Sequence, residues 1–343
     1  MAFYDGLFNA FGLREWCDAS AGSAKMTMAS LLAKTNPDAA DEGPLFPFPS
    51  MDELYKACPS FPQSREFTAG VEEAFLNAKD VLKTVLDPLT QPLSWLLEGA
   101  LFIFLAAPWW IVVPLILMFV WYVCRSVAVT TFVTVSFAFL AFIDHLDAAL
   151  QTLAIIAVCT GICIILGVPV GIAMAKSNRF QRSLLPLLDL LQTLPTFVYL
   201  IPLIFLFSVT EPKLYGLAII VYAIVPVIRL TDLGIRLVDQ DVVEAANAFG
   251  MSSRQKLFGI ELPLALPNIM AGVNQTIMMS LAMVVIASLV SAPGLGVLVL
   301  RGIRNLELGV GLIAGLGIVL LAVILDRVSK AAIARVSSDQ TFK

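Results

Sequence analysis

The chain has 343 residues, of which 59% are hydrophobic and only 14% charged, with a mean hydropathy of +0.87. A soluble domain carries roughly 25% charged and 45–50% apolar residues, so this composition excludes a water-soluble enzyme and a nucleic-acid binder and points to an all-α polytopic membrane protein. The net charge of −4 is uneven: residues 1–90 hold 7 basic and 13 acidic side chains, whereas residues 91–343 hold 15 and 13.

Residues 1–90 read as an acidic tail outside the membrane. The N-terminus lacks a basic start followed by an apolar run and a small-residue cleavage site, so no removable signal peptide is expected. Six prolines between Pro37 and Pro62 break any regular element there. From Ser64 to Leu86, Phe67, Val71, Phe75, Ala78, Leu82 and Val85 recur at helical spacing, which predicts an amphipathic helix ended by Pro88. A second amphipathic segment, residues 91–106 with Trp95 and Glu98, is expected to lie in the bilayer surface.

The membrane body follows, over residues 107–335 with a first span that starts slightly earlier. A helix needs ~20 apolar residues to cross a bilayer. Runs that meet or approach this are Leu101–Val123, Val127–Ile143, Thr152–Ala175, Leu184–Thr210, Leu214–Ile228 and Leu308–Leu325. Leu262–Leu300 is 39 residues without a charge, and it reads as one helix to about Val290 followed by an irregular return through Pro293-Gly294-Leu295-Gly296. About seven spans result. Lys176, Arg179, Arg182, Arg229, Arg236, Arg254, Lys256, Arg327, Lys330 and Arg335 then share one side, which the positive-inside rule makes cytoplasmic. The tail is thus expected outside and the C-terminus inside.

The longest polar interruption of the body, residues 230–263, falls on that cytoplasmic side. It predicts a helix capped near Asp239, stopped at Gly250, a second short helix from Ser252, and a proline opening the next span. The apolar stripe Val242, Val243, Ala246 and Phe249 argues for a packed hairpin rather than a solvated loop. Within it stand Glu244, Ala245, Ala246, Gly250, Ile260, Leu262 and Pro263, seven positions over 20 residues. This pattern resembles the EAA signature of the membrane subunits of binding-protein-dependent ABC importers. The stretches 185–200, 269–276 and 283–288 are similar to permeases of the glycine betaine/proline (ProU) type, and the resemblance covers about residues 90 to 330.

The resemblance implies a type I ABC importer permease fold in a bacterial inner membrane, with the hairpin as a coupling helix. It implies a homodimer, two ATP-binding cassette subunits and an extracytoplasmic substrate-binding protein as partners, alongside membrane lipid and without nucleic acid. No GxxxxGK[ST] loop occurs, so ATP and Mg are expected on the partner ATPase and no cofactor on this chain. Glycine betaine, proline betaine, choline and trimethylamine N-oxide all fit the resemblance.

Polar residues inside the spans are the candidates for a transport path. Gln192 and Thr193 stand beside Asp189 and just before Pro195, which can hinge the helix; Asn274 and Gln275 form a second cluster with Thr276. Such groups line a path or bond helix to helix, and the sequence leaves both open. Tyr199, with Phe197 and Tyr222, offers aromatic faces to a quaternary ammonium. Cys17 and Cys58 either form a disulfide or stay free, Cys159 and Cys163 read as core residues, and the single His145 builds no metal site. A rival reading, an ion-coupled secondary transporter of small osmolytes, rests on Asp189 alone; a membrane-embedded enzyme lacks a nucleophile and base pair.

Overall fold

The computed structural model describes residues 64–341 together with Phe8, residues 10–13 and Cys58. The chain divides into two compact units, Met1–Asp80 and Val81–Lys343. In the first, Phe8 and Cys58 are buried and Cys58 is disulfide-bonded. Cys17, with which Cys58 was expected either to pair or to stay free, and the proline-rich stretch apart from Cys58 lie outside the described residues.

All regular elements among the described residues are helical. The first, α1 (Ser64–Ala106), contains Pro88 and Pro92, so the two separate amphipathic helices expected here are one. Each proline deletes a backbone bond, and tertiary anchors on the second unit hold the helix across the loss. Asp87 accepts a 2.7 Å bond from Lys213, and Leu93 and Leu97 are buried against Gly216. The expected first span breaks instead at Pro108, whose extended backbone separates α1 from α2 (Trp109–Cys124).

After α2 come α3 (Val127–Phe142), α4 (Leu146–Lys176), α5 (Asn178–Thr193), a 3-10 turn over Thr196–Tyr199 and α6 (Leu200–Leu206). The run expected as one span over Leu184–Thr210 is therefore bent by 99° at Leu194–Pro195. Then follow α7 (Pro212–Arg236), α8 (Gln240–Ala248), α9 (Ser253–Lys256), a π turn over Leu257–Glu261, α10 (Leu262–Ala287), α11 (Leu295–Asn305) and α12 (Leu308–Thr341). Among the described residues, five helices are long and apolar enough to cross a membrane, and six if the bent pair counts as one span. The 16-residue helices α2 and α3 are apolar but shorter; at 1.5 Å per residue they reach about 24 Å against a core of about 30 Å.

The second unit is built around α7, which packs between α4 and α10. Its most apolar stretch is 67% buried, against 22% for α12, so α7 is the centre and α12 the periphery. Lipid gives helices no hydrophobic reason to associate, and close backbone approach at small residues supplies the contact instead. A Cβ on Gly171 of α4 would lie 2.7 Å from the Ile228 carbonyl oxygen, and one on Gly272 of α10 would lie 3.1 Å from Val227 Cα. Met174, Leu188, Val225 and Ile228 pack together between α4, α5 and α7. Cys159 and Cys163 are buried thiols facing the Gly216 and Ile220 carbonyls, which are core positions.

The return after α10 is shorter and more ordered than expected, because helix resumes at Leu295. Gly294 turns the chain at φ +116°, where a Cβ would strike Thr152 Oγ1 at 2.3 Å. That hydroxyl accepts a 3.0 Å bond from Leu295 N, which pins the turn to α4. We expect Gly171→Leu to destabilise the bundle by at least about 2 kcal/mol through overpacking, read as a lower unfolding midpoint in mixed micelles. An unchanged midpoint would mean that α4 and α7 do not approach as described.

Candidate functional site

Residues 237–263 form a helical hairpin whose geometry follows from its caps. Asp239 accepts a 3.0 Å bond from Asp241 N and opens α8. At the other end Gly250 N bonds the Asn247 carbonyl at 2.9 Å and Met251 N bonds that of Ala246 at 3.1 Å, the paired closure that needs a left-handed residue. Gly250 supplies it at φ +75°, with nothing within 4 Å of a Cβ, so the constraint there is backbone conformation rather than space. Ser252 and Gln255 form a capping box at the start of α9. The π turn then carries the chain without a break into α10, with Pro263 in its first turn.

The signature residues divide between two faces. Ala246 is buried, and Ile260, Leu262 and Pro263 are half-buried, so they hold the hairpin to the bundle. Glu244 and Ala245 are exposed. The expected apolar stripe splits the same way, because Val243 is half-buried while Val242 and Phe249 point out. Phe249 is 88% exposed, and Leu237 and Phe258 are also exposed on this segment. The hairpin thus presents large apolar groups beside an acid.

A set of buried charges, not singled out from the sequence, ties the hairpin to the spans. Glu261 is 5% exposed and pairs with Lys176 at the end of α4. Asp232, also buried, accepts from Arg236 Nε at 2.8 Å and from Gln181 Nε2 at 2.7 Å. Arg236 further donates to the Met174 carbonyl and to Asn178 Oδ1 at 2.7 and 2.8 Å. Isolated acids next to long apolar runs were the available signal, since a buried charge requires a partner.

The intramembrane candidates separate into distinct roles. Asp189 is paired with Arg229 across α5 and α7. Gln192 and Thr193 are exposed at the end of α5, with Gln192 Nε2 4.0 Å from Met279 Sδ of α10. Pro195 stands in the bend and Phe197 is exposed just past it; Tyr222 is half-buried in α7, and the Tyr199 side chain lies outside the described residues. Asn274 bonds Asp326 Oδ1 at 3.3 Å and accepts from Ser329 Oγ at 2.5 Å, joining α10 to α12. Its neighbour Gln275 is exposed, in line with exposed Leu264, Pro267, Ala271 and Ala282. Among the described residues no group of His, Cys, Asp and Glu is placed to hold a metal.

An apolar helical bundle that carries a capped, charge-anchored hairpin, with its open face free for another protein, is the membrane component of a transporter driven by a separate subunit. Residues 167–338 match the family described as binding-protein-dependent transport system inner membrane component, and the chain belongs to it. It is 37% identical to the glycine betaine/proline betaine transport system permease protein ProW of Escherichia coli (strain K12), over 92% of this chain and 88% of that one. It is 42% identical to the glycine betaine transport system permease protein OpuAB of Bacillus subtilis (strain 168), over 66% and 76%. With the trimethylamine N-oxide transport system permease protein TmoV of Ruegeria pomeroyi it shares 41% over 57% and 30%. An inward-facing structure of the MetNI methionine ABC transporter matches 56% of this chain and 95% of that one at TM-score 0.51 and 18% identity, which shows the fold. The chain is a permease of the ABC importer type, a membrane transport component whose ATPase is a separate subunit; the family implies that ATPase and a substrate-binding protein as partners.

Removing Lys176 would leave the Glu261 carboxylate buried and unpaired, a loss on the order of 3 kcal/mol. We expect Lys176→Met to lower the unfolding midpoint in micelles, and the double variant Lys176→Met/Glu261→Leu to recover most of it. A double variant no better than the single one would show that the pair is not what the site requires.

Proposed function

We propose that this chain forms the translocation path of an importer for betaine-like compatible solutes, in the range glycine betaine, proline betaine, choline and trimethylamine N-oxide. The names of its relatives support that substrate class. It works as a homodimer with two ATP-binding cassette subunits, which bind ATP and Mg, and with an extracytoplasmic binding protein. It sits in a bacterial inner membrane with residues 1–90 outside and the C-terminus inside.

The observation that carries the reading is the hairpin. Its outer face, with Glu244, Val242 and Phe249, is open, whereas its root is bonded through Glu261 to α4 and lies beside the Arg236–Asp232 cluster. A push on the open face is thus passed to α4 and α7 rather than absorbed in a loop. Gly250 fixes the angle of that face, and Glu244 offers an acid for a basic or capping group on the ATPase.

Along the path, the bend at Pro195 with Gln192 and Thr193 provides a gate, and Gln275 faces the second copy or the water between the copies. An amide open to acyl chains would leave its hydrogen bonds unmade, which supports a protein or water contact for that face of α10. The ion-coupled alternative loses its one acid, since Asp189 is engaged by Arg229.

Two experiments test this. The chain is expected to copurify with an ATPase subunit, and Gly250→Val, strained by about 1–2 kcal/mol at positive φ, or Glu244→Lys should abolish ATP-dependent uptake at normal membrane abundance; wild-type uptake in both variants removes the coupling assignment. A single cysteine in place of Gly250 should resist a membrane-impermeant thiol reagent in intact spheroplasts and react in inverted vesicles. Labelling from outside would reverse the topology.

A further inference from the structure

A cavity of about 260 Å³ lies between α3 and α12, lined by Ala128, Val129, Phe132, Val323 and Arg327. Its position follows from the end of α2, where Cys124 Sγ lies 3.7 Å from the Val328 carbonyl. This contact sets the Arg125-Ser126 link and the first turn of α3 against α12 near Arg327. Four of the five lining side chains are apolar. The outward face of α3 is also apolar, with Val127, Phe132, Val135 and Phe142 all exposed, so the cavity opens where acyl chains run.

One end of it is positively charged. The carboxylate next to Arg327 is already taken, because Asp326 accepts from Lys330 Nζ at 2.8 Å and from Asn274. Arg327 itself is exposed and takes part in none of the ion pairs among the described residues. Arg125, two residues before α3, holds its guanidinium 5.8 Å over the Tyr122 ring. The Ser126 side chain makes no capping bond and the first turn of α3 has no acid, so the positive end of that helix dipole adds to the same field.

An apolar slot lined by the Arg327 guanidinium, whose neighbouring carboxylate is already paired, selects one kind of occupant. We propose that the α3–α12 cavity binds an anionic phospholipid, with an acyl chain along Val129, Phe132 and Val323 and the phosphate at Arg327. A zwitterionic lipid brings a cation into the same field and is disfavoured. The inference goes beyond the transport reading, since it requires only that α3 and α12 lie in a bilayer.

The test uses the full-length permease, exchanged into detergent with equal phosphatidylglycerol and phosphatidylcholine and examined by native mass spectrometry. Wild type is expected to retain phosphatidylglycerol preferentially. Arg327→Gln should lower that preference about fivefold and Arg327→Lys should keep most of it. Ala128→Trp, which fills the slot with the charges intact, should reduce retention of either lipid. A photoreactive phenylalanine analogue at position 132 should crosslink to phosphatidylglycerol in nanodiscs, a readout that needs no destabilising change. Equal retention of the two lipids by wild type, an unchanged preference in Arg327→Gln, or absence of the crosslink overturns the proposal. Displacement of the lipid by excess glycerol 3-phosphate would assign the site to a soluble phosphate and overturn it as well.

Discussion

Lys176 and Glu261 meet where α4 ends and the hairpin re-enters the bundle, and the carboxylate is buried there. A charge in that position is tolerated only with a partner, so the start of α10 cannot move away from the end of α4 without a large cost. The Arg236–Asp232–Gln181 cluster imposes the same condition on α7 and α5. Together they make the hairpin end of the bundle a single piece. The exposed face of α8, with Val242 and Glu244, is left open by these bonds, so a push on it would be carried to α4 and α7 as proposed above.

The opposite design holds within the apolar region. There the contacts between α4, α7 and α10 rest on glycines, which let backbones approach, with few directional bonds such as that from Thr160 Oγ1 to Ser280 Oγ at 3.2 Å. Polar groups are few and each is placed differently. Asn274 is spent on α12, Asp189 on Arg229, and Gln192 and Gln275 are left open. The Gln192 amide stands beside the 99° bend, and the path proposed above would draw on such a group, because an amide can trade partners with a passing solute while a paired charge cannot.

The hairpin was legible in the sequence because its structure is local. Asp239, Gly250 and Ser252 dictate caps and a left-handed turn within a few residues, and the structure has them at those positions. The spans were legible as apolar runs but not in their breaks. Pro88 and Pro92 do not end α1 whereas Pro108 does end it, and the difference lies in Lys213, Gly216 and the other tertiary partners of α1, which no window of the chain contains. The bend at Pro195 was anticipated as a hinge, but not that it would turn the helix by 99°. The pairing of Glu261 with Lys176 joins residues 85 apart in sequence, and their roles stay invisible until the helices are placed.

Two outer faces of the second unit differ in chemistry, and the difference says what each can touch. The α3 face is mostly apolar, with aromatic and branched side chains exposed along its length and the exposed Thr134 hydroxyl bonded to the Thr130 carbonyl within the helix, and lipid tails satisfy such a surface at little cost. The α10 face carries Leu264, Pro267, Ala271 and Ala282 around the Gln275 amide, and hydrocarbon cannot satisfy that amide. The first face is therefore the lipid boundary, and the second requires protein or water. A lone copy in a bilayer would leave Gln275 unsatisfied, so the residue proposed to line the path would also favour a protein or water partner for this face.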